Sequence, residues 1–258
     1  MRRYKVIYQG DIGLYLSGEQ VLIPECGIFI TQPKVRQIVQ FGEQKFLTAV
    51  QILTDPDTLL QEIKQGNSQL KEMGNFQILL ELIKHDESLK SFFDILFELC
   101  CPNYEIKIVK NSIEFYVEED DEKVCRGRIN SRNFEKFTTV LKELFIFASN
   151  DKNSPDYNPA NKLAQEIADK IKKGRAKAGQ QKGAEKMSLY GTYVSILSVG
   201  MRLDMNQLYN YTPFQLYDTF SRYWAKVQSD QFFKIQIMPF SNVSESDSPE
   251  EWTRNFYG

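Results

Sequence analysis

The chain has 258 residues, 42% of them hydrophobic and 26% charged, the balance of an ordinary globular protein. A net charge of -2 argues against a protein that works as a whole by coating nucleic acid. No apolar run approaches the roughly 18 residues of a membrane span, and the start MRRYKVIYQGDIG has no apolar stretch of a secretory signal.

From Tyr4 to Ile30 the short apolar runs YKVIY, GLYLSG, QVLI and GIFI predict strands. Gly10, Gly13, Gly18 and the turn Pro24–Gly27 break them. Thr31 is then a candidate cap, with Pro33 near the first helical position. Val35, Ile38, Val39, Phe46, Val50 and Leu53 form an amphipathic stripe that Gly42 interrupts and Thr54-Asp55-Pro56 ends. Residues 57–65 read as a short helix, and Phe76 to Leu99 as one or two longer ones closed by Pro102. YEIKIV, SIEFYV and KVCRGRI predict three strands joined at Lys110-Asn111 and at the acidic run Glu118–Glu122. Ser131 can cap a helix through Phe134, Phe137, Val140, Leu141 and Leu144.

A polar stretch with two prolines, SNDKNSPDYNP, then marks a linker. After it comes a helix grading into a basic, Gly-bearing tract. Three helices are predicted next: an apolar one from Met187 to Val199 ending at Gly200, a short one over 204–210, and a long aromatic one. Thr212, Pro213 and Gln215 spell a capping box for the last. In the polar tail, Trp252 and Phe256 stand one helical turn apart. The layout is an α+β domain over 1–148, a linker over 149–160, an all-helical domain over 161–240 and a tail over 241–258 with a short helical anchor.

Catalytic chemistry has little to rest on. His85 is the single histidine, and neither a phosphate loop, a dinucleotide fingerprint nor a nucleophile elbow is present. Of the four cysteines, Cys100 and Cys101 are adjacent while Cys26 and Cys125 stand apart. None forms a CxxC, and His85 does not complete a zinc set with them. They read as reduced thiols of a cytosolic protein. The acidic run 118–122 fits no EF-hand and reads as a solvated turn. No catalytic residue, cofactor or metal is expected. The basic tract, with Lys170, Lys172, Lys173, Arg175, Lys177, Lys182 and Lys186, could neutralise phosphates. A solvated helix end explains it better, because the surrounding chain is not basic.

The aromatic helix, in LYNYTPFQLYDTFSRYW, has three readings: core, partner surface, or platform for bases. Core comes first, since helically spaced rings bury against other helices. A helix-turn-helix reader is disfavoured by Asp218 and the lack of any Arg or Lys before Arg222. Leu216, Phe220 and Trp224, at i, i+4 and i+8, are expected inward. Tyr217 and Tyr223, with Trp252 and Phe256 of the tail, are expected to face a partner.

The stretch ITQPKVRQIVQFGEQKFLTAVQILTDPDTLL resembles the N-terminal part of a group of tailed-phage proteins from phages of Gram-positive bacteria. There a strand leads to a Pro, an amphipathic helix and a Gly-Glu pair followed by an aromatic, here Gly42-Glu43 and Phe46. The resemblance implies a tail-assembly chaperone or tail-associated protein that works by protein–protein contact. Its implied partner is a tape-measure or tail-tube protein, or a second copy of itself. It implies a place in the host cytoplasm or on the virion, with no membrane and no nucleic acid. Two alternatives stand beside it: a nucleic-acid-binding accessory protein using the 170–186 tract, and an enzyme without a recognisable motif.

Overall fold

A computed structural model describes residues 11–55, 73–145 and 188–236. Within them the chain mixes helices with two small antiparallel sheets, strands and helices first and helices alone last. The expected strand at 4–8, helix at 57–65, linker at 149–160, basic tract and tail lie outside the described residues.

The first element differs from expectation. GLYLSG is part of a short helix, α1 (Ile12–Ser17), not a strand. Asp11 caps it, its carboxylate accepting from the Gly13 and Leu14 amides at 2.8 and 3.3 Å, and Gly18 ends it at φ 75°. The next two runs are the predicted strands β1 (Val21–Ile23) and β2 (Ile28–Ile30), which pair as a hairpin turned through Gly27 at φ 68°. The stripe after Pro33 is two helices, α2 (Val35–Phe41) and α3 (Glu43–Thr54), because Gly42 takes φ 117° and breaks the helix. Helix α2 starts at Val35, four residues past the expected Thr31 cap, and the Val35 amide donates to the Tyr211 carbonyl at 2.9 Å. Val35, Ile38, Phe46, Val50 and Leu53 are buried as the stripe predicts, whereas Val39 is exposed.

The segment 76–99 also divides, into α4 (Asn75–His85) and α5 (Glu87–Cys100). Asp86 caps α5 by accepting from the Ser88 and Leu89 amides. The three predicted strands are β3 (Glu105–Val109), β4 (Ser112–Glu119) and β5 (Glu122–Asn130), an antiparallel meander in the order β3-β4-β5. Phe115 faces Gly127 while Tyr116 faces Cys125, so Arg126 is the extra residue of a bulge. Helix α6 (Phe134–Phe145) follows. Ser131 lies in the preceding turn and does not adjoin the helix, and Asn133 takes the adjoining place. The Asn133 amide donates to the Glu25 and Arg128 carbonyls, both at 2.8 Å, tying the β1–β2 turn to β5.

The last helices are α7 (Leu189–Met201), α8 (Met205–Tyr209) and α9 (Pro213–Gln236). The capping box of α9 is present: the Gln215 amide donates to Thr212 Oγ1, and the Thr212 amide donates to Gln215 Oε1. Helix α7 begins with a cap from far away. Glu43, the first residue of α3, turns its carboxylate onto Ser188 Oγ and the amides of Leu189 and Tyr190, the latter two at 2.5 and 3.2 Å. An acidic side chain at a helix N-terminus satisfies orphan amides and is attracted by the positive end of the macrodipole.

One hydrophobic cluster joins all these parts. Phe46 and Val50 of α3, Phe93 and Leu96 of α5, Phe115 and Ile129 of the sheet, Phe137 and Leu141 of α6, and Tyr190, Leu208, Phe214 and Leu216 of the last helices belong to it. The aromatic residues at the start of α9 therefore pack with side chains from both halves of the sequence.

Candidate functional site

An open groove of about 720 Å³ lies where α2, α5 and β3 meet. Its floor is apolar, with Phe93, Phe97, Leu99 and Cys101 on one side and Tyr104, Ile106 and Ile108 on the other. The helix period and the strand period place these residues. Phe93 and Phe97 are one turn apart on α5, and residues 104, 106 and 108 alternate onto one face. Phe97 and Tyr104 both meet Phe115 edge-on beneath the floor, with centroids 6.0 and 5.7 Å away, so buried rings hold the floor in place.

The rim is more open. Phe41, the last residue of α2, is 43% exposed at the groove, and Gln37 precedes it by one turn. Tyr104 carries the apolar surface onward, because its hydroxyl accepts from the amide of Phe29, which is itself 45% exposed on the outer face of β2. Along the other rim, α5 sets Lys90, Asp94 and Glu98 at i, i+4 and i+8. None of these three has an ion pair among the described residues. The groove thus combines an apolar floor with two carboxylates and one ammonium.

The titratable side chains on the lining are Lys90, Asp94, Glu98, Cys101 and Tyr104. Cys101 is the one thiol on the lining, and burial pushes its pKa up to about 12. Burial likewise raises Cys100, helped by Cys101, and burial with Glu25 raises Cys26 to about 12. These thiols are protonated near neutrality and poor nucleophiles. His85 is 79% exposed and sits 3.6 Å from Glu81 on α4, away from the groove lining. Among the described residues no group of carboxylates, thiols and histidine has a metal-holding arrangement, and no helix is long and apolar enough to cross a membrane. The acidic run is the β4–β5 hairpin end, with Asp120 and Asp121 at φ 49° and 64° and its flanks paired as Glu119–Arg126 and Glu105–Lys123.

The aromatic residues singled out on α9 divide differently from expectation. Leu216 is fully buried, and Phe220 stacks on Tyr193 with centroids 4.4 Å apart. Trp224, expected inward, is 51% exposed. The reason is helical phase. A step of four residues over-rotates by about 40°, so i+8 lies about 80° off the stripe while i+7 lies within about 20°. The inward place belongs to Tyr223, whose ring lies over Gly200: a Cβ built there would sit 2.1 Å from the Tyr223 hydroxyl. Tyr217 is half-buried and close enough to Tyr193 to help raise its pKa, after burial itself. Trp252, Phe256, Lys170, Lys172, Lys173, Arg175 and Lys177 lie outside the described residues.

The groove was not among the residues the sequence singled out. Its only sequence signal is Phe41, an aromatic at a helix end beside Gly42. Comparison with known protein families, curated proteins and solved structures finds no match to this chain.

Proposed function

We propose that this protein is a non-enzymatic binding factor whose groove between α2, α5 and β3 takes an apolar, basic segment of another protein. The open apolar groove carries this reading. Exposed rings such as Phe41 and Phe29 beside a concave apolar floor are the features of a recognition surface. Asp94 and Glu98 on the rim, without an ion pair among the described residues, favour a Lys or Arg in the bound segment, since opposite charges steer and orient a partner. The resemblance of residues 30–60 to tailed-phage proteins supplies the setting: a tail-assembly chaperone or tail-associated protein whose partner is of the tape-measure or tail-tube class.

The test is co-expression with the tape-measure and tail-tube proteins of the same phage, followed by size-exclusion chromatography. One of them should form a soluble complex with the parent chain. Phe41→Ala and the pair Asp94→Lys with Glu98→Lys should weaken that complex by about tenfold or more, with unchanged melting temperature. A complex indifferent to these changes refutes the groove, and the lack of any complex refutes the tail assignment.

A further inference from the structure

We infer that the groove receives its occupant as an added β-strand on the open edge of β3, a proposal that rests on the groove reading above. The two edges of the β3-β4-β5 sheet are treated differently by the fold. At the β5 edge the β1–β2 hairpin crosses over: the Arg128 amide donates to the Cys26 carbonyl at 2.9 Å, and Gly127 passes against Ile28. At the other edge β3 pairs only with β4 among the described residues.

The register says which backbone groups that edge presents. Val109 and Ser112 close the two-residue turn Lys110-Asn111, so they are a hydrogen-bonded pair. Alternation then makes Lys107–Glu114 and Glu105–Tyr116 hydrogen-bonded pairs as well. Glu105, Lys107 and Val109 spend their amides and carbonyls on β4. Ile106 and Ile108 point theirs outward, and no backbone hydrogen bond among the described residues reaches either one from that side.

The same two residues line the groove with their side chains. A strand laid antiparallel on β3 would therefore take two kinds of recognition at once. Its backbone would pair with Ile106 and Ile108. Its side chains opposite those residues would fall on the groove face, over Phe93 and Phe97. Strand addition works in this manner: main-chain bonds supply affinity, and pockets for alternate side chains supply selectivity. The fitting occupant is an extended peptide with apolar residues at every second position. A basic residue within reach of Asp94 and Glu98 completes it.

The test uses the full chain and three kinds of short peptide, acetylated and amidated at their ends. The first alternates Val with Thr, with one Lys in place of a Val at the end nearest Asp94 and Glu98. The second is the same peptide N-methylated on the amides of one edge, with both choices of edge made. The third is an amphipathic helix-forming peptide of equal charge. The alternating peptide should bind, slow hydrogen exchange at the Ile106 and Ile108 amides by about tenfold or more, and lose about tenfold in affinity when the pairing edge is methylated. Asp94→Lys with Glu98→Lys should weaken it. The inference is overturned if the alternating peptide fails to bind up to about 1 mM. It is equally overturned if the peptide binds without protecting those two amides, or if both methylated forms bind as well as the parent. A tail-protein complex that needs Phe41 and Asp94 but leaves both amides exchanging freely sinks strand addition and leaves the groove standing. Loss of the complex altogether removes both.

Discussion

Gly127→Ala sets two physical effects against each other. Gly127 does not have a positive φ; among the described glycines only Gly18, Gly27 and Gly42 do. On conformational entropy alone, Ala at such a position stabilises by about 0.4–1 kcal/mol. Packing opposes this. A Cβ at residue 127 would lie 2.3 Å from Ile28 Cγ2, 2.5 Å from the Cys26 carbonyl oxygen and 2.9 Å from that of Gly27. Two of these three atoms are backbone, so no rotamer change clears them. The β1–β2 turn must move away from β5. Overpacking of this kind costs roughly 1–3 kcal/mol. Parting the strands also strains the hydrogen bond from Arg128 to Cys26, which contributes about 0.5–1.5 kcal/mol. The net expectation is a loss of roughly 1–4 kcal/mol, a large share of a typical total of about 5–15. Urea unfolding followed by far-ultraviolet circular dichroism measures it as a lower midpoint with an unchanged slope. A variant as stable as the parent, or more stable, would show that β5 does not need glycine to pass under the hairpin.

Further outcomes follow from the same geometry. Glu43→Ala strips α7 of the acceptor for two amides and a hydroxyl, and should cost roughly 2–4 kcal/mol by thermal melting, with Glu43→Gln costing less. Asp121→Gly gives the β4–β5 turn the Asp-Gly pair that left-handed two-residue turns favour. It should raise stability by a few tenths to about 1 kcal/mol in the same unfolding assay. Cys26 and Cys101 have pKa values near 12 when folded against an ordinary 9.0. Above pH 9 the unfolded thiols lose protons that the folded ones keep. Their contribution is therefore complete below pH 9 and is lost as pH rises toward 12. Urea midpoints across that range should fall for the parent and fall less for Cys26→Ala with Cys101→Ala.

Local signals carried most of the fold. The Thr212–Gln215 capping box, the strand alternation of 105–130 and the stripe of Val35, Ile38, Phe46 and Val50 are written in a few neighbouring residues each, and the structure has all three. Residues 13–18 carry competing signals. Asp11 and Gly18 are helix start and stop signals, yet the glycines in and around so short a run also read as strand breaks. What no local pattern contains is contact between distant segments. The Glu43 cap on α7 spans 147 positions at its longest, and nothing near residue 43 announces it. Gly127 is partly legible, because a glycine inside a strand pattern signals a bulge or a close backbone approach. Which backbone approaches it is a tertiary fact.

The groove was illegible for a related reason. Phe41, Asp94 and Ile106 come from three elements, and each has an unremarkable local role: a helix end, an exposed helical acid, an alternating strand residue. The aromatic helix drew attention because its rings are adjacent in sequence, but adjacency measures density and not exposure. Folding spends Phe220 and Tyr223 on the packing of α7 and α9 and Phe214 on Tyr15 of α1, while Trp224 turns outward by helical phase. A recognition surface needs the opposite arrangement, apolar side chains that their own element cannot bury. Strand β3 provides it. With β4 on one side and no strand on the other among the described residues, its inward-facing Ile106 and Ile108 remain half-buried. An edge strand left in that state offers its outward backbone groups to a further strand, a covering element or a partner. The described fold supplies neither of the first two at β3.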